Sequence, residues 1–282
     1  WKLIDEAVAA AKKSDVAIIF GGLNHDFDTE SFDRMHMRLP YGQETLIAEV
    51  AKANPNTVVV IIAGSPLELA GIANRVPSIL WAWFGGMEAG NAVADVLSGK
   101  VNPSGKLPFT LPVSLEQSPA HALGNFPGRN LKVNYEEDIL VGYRWFDTKK
   151  IAPQFPFGYG LSYTGFEFAQ LSTDKETYQA GDVIHLKVMV KNTGSRFGAE
   201  VAQLYVSDPV CSVLRPEKEL KAFEKVFLQP GETKTVELNV KVSDLAYYDE
   251  KAKGWKVEAG DFVLRLGNSS GNIYLTKKVS VE

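Results

Sequence analysis

VAIIFGGLNHDFDTESFDRMHMRLP, residues 16–40, decides how the first third of the chain folds. Val16 to Phe20 is a short, uninterrupted apolar run, the pattern of a strand buried on both faces of a parallel sheet. Such sheets receive ligands just past their strand ends. Gly21 and Gly22 let the backbone turn sharply there, and about eighteen residues pass before helical periodicity resumes. A segment of that length in a compact domain is either functional or disordered. It holds Asp26, Asp28, Glu30, Asp33, Arg34 and Arg38, so carboxylates and guanidinium groups can converge on one polar ligand.

On either side the spacing predicts a repeating order of helix and strand. Leu3, Ile4, Ala7, Val8 and Ala11 form one face of a helix over residues 1–13. Leu46, Ile47 and Val50 do the same over 41–53, until Asn54-Pro55 stops the helix. TVVVIIA, residues 57–63, is a second buried strand. A short helix over 67–73, a third strand over 78–84 and a helix over 87–97 follow. This order indicates an α/β sandwich with helices on both faces of a mostly parallel sheet. Three strands and an opening helix are few for a self-contained domain, so part of it is expected to lie outside this chain.

From Asn102 to Pro156 the pattern gives way to segments marked by Pro and Gly, read as a connector packed on the first domain. FPFGYGLSYTGF, residues 155–166, has three glycines but no strand-then-helix context for a phosphate loop, and reads as a turn-rich aromatic hinge. Beyond about residue 165, alternating runs at 185–190, 199–206, 221–226, 234–240 and 261–267 are separated by turn signals, as in a β-sandwich. No row of exposed aromatics is evident along its edges. The expected division is an α/β domain over 1–112, a connector over 113–164 and an all-β domain over 165–282.

Composition narrows the function classes. A formal net charge of −4 over 282 residues leaves no broad basic surface, which argues against nucleic acid. The longest apolar runs are too short to span a bilayer as helices, so no membrane partner is expected. The single cysteine, Cys211, excludes an internal disulfide and a cysteine-rich zinc site, and reads as a small structural residue. Trp1 stands where an initiator methionine would, with no secretory signal after it, which suggests an internal or processed start.

Four motifs in order then resemble one family. ESFDR, residues 30–34, is similar to the EGYDR-type motif of glycoside hydrolase family 3, the β-glucosidase family. AWFGGMEAGNAVADVLSGKVNPSGKLPFTLP, residues 82–112, resembles the signature of that family's second domain. PQFPFGYGLSYTGFEF, 153–168, resembles its hinge, and RPEKELKAFEKVFLQPGE, 215–232, its fibronectin type III domain. The resemblance implies an (α/β)6-type sandwich, N-terminally incomplete here, followed by a fibronectin type III-like β-sandwich. It also implies a preceding (β/α)8 barrel with a nucleophilic aspartate, which this chain lacks. The expected partner is therefore an N-terminal barrel-bearing chain of the same enzyme.

The implied activity is that of a retaining, exo-acting β-glucosidase working on β-glucosides or cello-oligosaccharides without metal or organic cofactor. A β-xylosidase or other β-glycosidase of the family is the alternative within enzymes, and a non-catalytic carbohydrate-binding or scaffold fragment the alternative outside them. The family's usual setting points to an extracellular or periplasmic location, and a homo-oligomer is left open. Retaining glycosidases use two carboxyl groups about 5–5.5 Å apart, one attacking the anomeric carbon and one serving as acid and then base. The resemblance assigns Glu30 the second role, with Asp33 and Arg34 as loop-shaping or substrate-binding residues. Ser31 stands where the family usually has glycine, which puts the loop conformation around Glu30 in question.

Other candidates have plainer readings. Asp26, Asp28 and Glu30 resemble the start of a calcium loop, but Ser31 replaces its glycine and Met37 its final glutamate. His25 and His36 read as loop residues making one hydrogen bond each. Trp81 and Trp83 read as strand residues packed under a helix rather than as a sugar platform, and Glu88 as a helix-capping anion.

Overall fold

The computed structural model describes residues 1–282, which divide into two compact units. The first contains Trp1–Leu97 and Leu111–Ala122, the second Ser98–Thr110 and Leu123–Glu282.

In the first unit, helix α1 (Lys2–Ala11) leads into strand β1 (Ala17–Gly22), α2 (Gln43–Ala53), β2 (Thr57–Ile62), α3 (Ala70–Ala73), β3 (Ser78–Trp81) and α4 (Ala89–Leu97). A short helix α5 (Pro119–Ala122) belongs to the same unit. The strands form a parallel sheet in the order β1-β2-β3, with Ile19 opposite Val59 and Val59 opposite Ile79. Val59, Val60 and Ile61 are fully buried, as the apolar run at 57–63 predicts. Buried Asn54 follows α2, and its amide donates to the carbonyl oxygens of Ala11 at 3.0 Å and Ser14 at 2.8 Å. These bonds satisfy carbonyls where α1 ends and tie the helix to the start of β2.

Two expectations for this unit are corrected. β1 is not buried on both faces: it is an edge strand on which Ile18 and Phe20 are 47% and 59% exposed. An apolar run is the same string at an edge as at the centre of a sheet, and neighbours alone decide which residues water reaches. The expected helical cover on both faces is incomplete as well. α2 packs on β1 and β2, whereas α4 buries none of its residues.

The second unit begins with irregular segments and α6 (Tyr143–Thr148), followed by the strands of a β-sandwich. These are β4 (Phe166–Thr173), β5 (Thr177–Tyr178), β6 (Val183–Asn192), β7 (Gly198–Ser207), β8 (Glu219–Leu228), β9 (Thr233–Lys241), β10 (Tyr247–Asp249), β11 (Gly254–Lys256), β12 (Gly260–Ser269) and β13 (Asn272–Val281). One sheet has the order β5-β13-β12-β7-β8 and the other β4-β6-β9, while β10 and β11 pair as a hairpin. Inward-facing Leu186, Val188, Leu204, Leu238, Phe262 and Leu264 fill the core between the sheets. Edge strand β8 exposes Phe223 and Phe227, and Phe197 lies nearly parallel to the Phe227 ring, so exposed aromatics do line one edge, contrary to expectation.

The connector also departs from its expected position. Residues 123–164 belong to the second unit rather than to the α/β unit. Tyr205 and Gln203 explain this arrangement. Tyr205 meets the Tyr143 ring edge to face at 5.8 Å, and the Gln203 amide donates to the Gly158 carbonyl oxygen at 3.2 Å. The Leu220 amide donates to the Tyr143 hydroxyl at 2.8 Å, and Lys218 pairs with Asp147 at 2.7 Å. An aromatic and an amide on the outer side of β7 thus hold the connector. The first part of the hinge expected at 155–166 is a turn in the same layer: Leu107 exchanges backbone hydrogen bonds with Gly158 and Tyr159.

Candidate active-site loop

β1 ends at Gly22, whose φ of 143° suits glycine and where a Cβ would run into the Ile62 carbonyl. Beyond it, residues 24–42 form neither helix nor strand until α2 starts at Gln43. The loop is nonetheless held at several points. Asn24 accepts backbone hydrogen bonds from Phe27 and Asp28, closing a turn just outside the sheet. The Tyr41 hydroxyl donates to Asp26 at 2.5 Å and the Phe27 ring meets Tyr41 edge to face, so the returning chain is joined to the outgoing one. That bond to Asp26 raises the Tyr41 hydroxyl above its ordinary range. Met37, Leu39 and Pro40 are buried, and the Glu68 amide donates to the Met37 carbonyl at 2.8 Å.

Between these fixed points, Thr29 to Asp33 are exposed and carry Glu30 at the tip of the loop. Ser31 adopts φ 69°, the left-handed conformation natural to glycine, so the serine is accommodated at a backbone cost of order 1 kcal/mol. Arg34 turns back into the unit: its Nη2 donates to the Pro66 carbonyl oxygen at 2.9 Å, while Nη1 is buried without a hydrogen-bond partner. Burial lowers the Arg34 pKa, and the nearby Asp28 carboxylate opposes that shift. Asp33 is exposed, whereas Arg34 is directed back to Pro66.

The remaining candidates separate from this tip. His25 is exposed, and His36 is half-buried with Nδ1 lacking a hydrogen-bond partner. Trp81 donates from its indole nitrogen to the Ala63 carbonyl at 3.0 Å, consistent with a packing role. Trp83 lies past the end of β3 at φ 58°, so the two rings are not alternate residues of one strand; they meet at 5.7 Å, tilted by 53°. Glu88 precedes α4 and accepts from the Asn91 side chain rather than from a backbone amide. No group of three or more His, Cys, Asp or Glu side chains is placed to hold a metal ion.

Gln43 escaped the sequence reading. From the first turn of α2 its amide pairs with both backbone groups of Gly22, accepting from the amide at 2.8 Å and donating to the carbonyl at 2.9 Å. A shallow cavity of about 270 Å³ lies beside this pair, bordered by Phe20, Asn24, Tyr41 and Ile62. The local signal was a polar residue beginning a helix directly after a long loop, but its partner could not be read from spacing.

The model for the glycosyl hydrolase family 3 C-terminal domain matches residues 1–163, and that for a fibronectin type III-like domain matches residues 200–270. Thermostable β-glucosidase B of Acetivibrio thermocellus is 50% identical over 280 residues, covering 99% of this chain and 37% of the relative. Among solved structures, the Bifidobacterium adolescentis family 3 β-glucosidase superposes with a TM-score of 0.94 at 38% identity, covering 99% of this chain and 41% of its own. The Kluyveromyces marxianus β-glucosidase in complex with glucose superposes with a TM-score of 0.92 at 43% identity, with coverages of 99% and 33%. The chain thus spans well under half the length of these relatives. By the family match over residues 1–163, the chain belongs to glycoside hydrolase family 3.

Proposed function

We propose that this chain supplies the acid/base half of a retaining β-glucosidase, with Glu30 as the acid/base group and an N-terminal barrel as the source of the nucleophilic aspartate. The observation that carries the reading is the loop itself. An exposed carboxyl stands at the tip of a segment whose feet are fixed by buried side chains and hydrogen bonds, in a family whose similar members are named β-glucosidases.

In the first step the barrel aspartate attacks the anomeric carbon of a terminal β-glucoside. The C1–O bond to the leaving group breaks, and Glu30 gives its proton to the departing oxygen. In the second step the Glu30 carboxylate takes a proton from water as the water oxygen bonds to C1. As that bond forms, the C1–O bond to the aspartate breaks and the carboxylate departs with its electron pair, and Glu30 is again protonated. Glycoside and water are converted to glucose and the free alcohol, with the anomeric configuration retained by two inversions.

Arg34 anchors the returning side of the loop, and Asp33 at its exposed tip is available to the substrate or to the barrel. Choice of sugar lies mainly with the barrel, so the β-glucoside assignment follows the similar proteins rather than residues of this chain. The exposed apolar side of β1, with Ile18 and Phe20, suits contact with the remainder of such an enzyme.

The test is hydrolysis of p-nitrophenyl β-glucoside by the barrel part with and without this chain, with the first-formed glucose anomer followed by NMR. The expected result is activity only with both parts and initial release of β-glucose. Full activity of the barrel part alone would overturn the proposal.

A further inference from the structure

We infer that Gln43 is a positioning residue for the acid/base carboxyl, acting by fixing the direction in which the loop leaves β1. The inference rests on the acid/base reading of Glu30. Gly22 is the last residue of β1, and its amide and carbonyl point toward the strand's outer side, away from β2. There the Gln43 carboxamide meets both groups, at 2.8 and 2.9 Å, as a neighbouring strand would. The Gln43 side chain thereby occupies the outer backbone groups of the residue at which β1 ends. Gly21 and Gly22 make the approach possible: a Cβ on Gly21 would come within 2.6 Å of the Gln43 Oε1, and one on Gly22 would strike Ile62.

The consequence reaches Glu30 through the backbone. The return side of the loop is held by Arg34 on Pro66 and by Met37 on the Glu68 amide. The outgoing side depends on Gln43 at Gly22 and on the bond between Tyr41 and Asp26. Tyr41 and Gln43 come from one short stretch, so the entry to α2 clamps the loop's origin. Release of that clamp lets the exposed tip shift while the buried feet remain. A displacement of about 1 Å can cost on the order of 100-fold when a proton must be delivered to one oxygen.

A leaving-group series separates positioning from general damage. Departure of 2,4-dinitrophenolate needs little protonation, whereas departure of phenol or an alkanol depends on the acid. Gln43→Met keeps the length of the side chain and removes both hydrogen bonds; Gln43→Ala provides a second variant, and Glu30→Ala the reference. All are compared as kcat/KM in the barrel-containing enzyme, with melting temperatures recorded alongside.

Gln43→Met is expected to lose about 10- to 100-fold on phenyl and alkyl β-glucosides and less than about 3-fold on the 2,4-dinitrophenyl substrate, the direction set by Glu30→Ala. An equal loss on every leaving group, or none, in both Gln43 variants while Glu30→Ala shows the leaving-group dependence would overturn the Gln43 inference alone. Absence of that dependence in Glu30→Ala would overturn the acid/base reading and this inference together.

Discussion

Arg34 reaches from the loop after β1 to the carbonyl oxygen of Pro66, donating from Nη2 across 2.9 Å. The contact ties the exposed segment bearing Glu30 to the Gly64-Ser65-Pro66 turn that follows β2. Arg34→Ala removes this anchor and also a half-buried charge with one unpartnered nitrogen, so its stability terms oppose each other. The expected outcome is a melting temperature within a few degrees of the parent. A loss of about 10- to 100-fold in kcat/KM should accompany it. Unchanged kinetics would show that Arg34 does not hold the loop.

Lys106 and Glu200 form an ion pair at 2.6 Å in which the side chains are only 12% and 6% exposed. Glu200 also accepts from the Asn268 amide at 3.0 Å, and Lys106 donates to the Gly160 carbonyl at 2.7 Å. Lys106→Met strands a buried carboxylate and should destabilise the second unit by about 3–5 kcal/mol in urea denaturation. The double variant with Glu200→Gln should recover much of that loss. Equal stability of the single and double variants would refute the pairing.

Acid should weaken the second unit through Glu219. Burial acts to raise this carboxyl, but the hydrogen bond from Arg215 and the charges of Lys221, Arg215 and Arg144 outweigh it, leaving the group below the ordinary glutamate range. A depressed folded-state pKa contributes stability that is present above the unfolded value and is lost as pH falls through the folded one. Melting temperature should therefore drop as pH falls below the ordinary glutamate range, and Glu219→Gln should be less stable at neutral pH with a shallower acid limb. Parallel curves for the two proteins would contradict this.

Cys211 should be a poor nucleophile. Burial raises its thiol, the Val213 backbone opposes the shift, and Glu258 and Asp208 raise it further. Alkylation by iodoacetamide near neutrality should run at least ~10-fold slower than that of free cysteine. Rapid labelling of the folded protein would overturn this.

The sequence revealed the elements better than their surroundings. Thr57 to Ile62 was legible as a strand because its neighbours bury it, yet the similar run at Val16 to Phe20 hid an edge strand. β4 was missed where Gln170, at φ 56°, interrupts the strand and the register with β6 shifts between Ala169 and Ser172, breaking the two-residue alternation. The cover over β7 was not legible: residues 199–206 read as an ordinary alternating run, whereas Gly198 to Ser207 is buried at nearly every position because the connector lies on its outer side. The loop bearing Glu30 stood out by its length and charge. Gln43 did not, because its role depends on a pairing across 21 residues that no spacing rule encodes.

The most direct test of the account is azide rescue of Glu30→Ala in the barrel-containing enzyme, with 2,4-dinitrophenyl β-glucoside as substrate. With the base removed, the glycosyl-enzyme should accumulate, and azide, which needs no deprotonation, should restore turnover and yield β-glucosyl azide. Parent-like turnover without azide, or slow turnover that azide neither accelerates nor diverts to that product, would contradict the assignment of Glu30 as the acid/base.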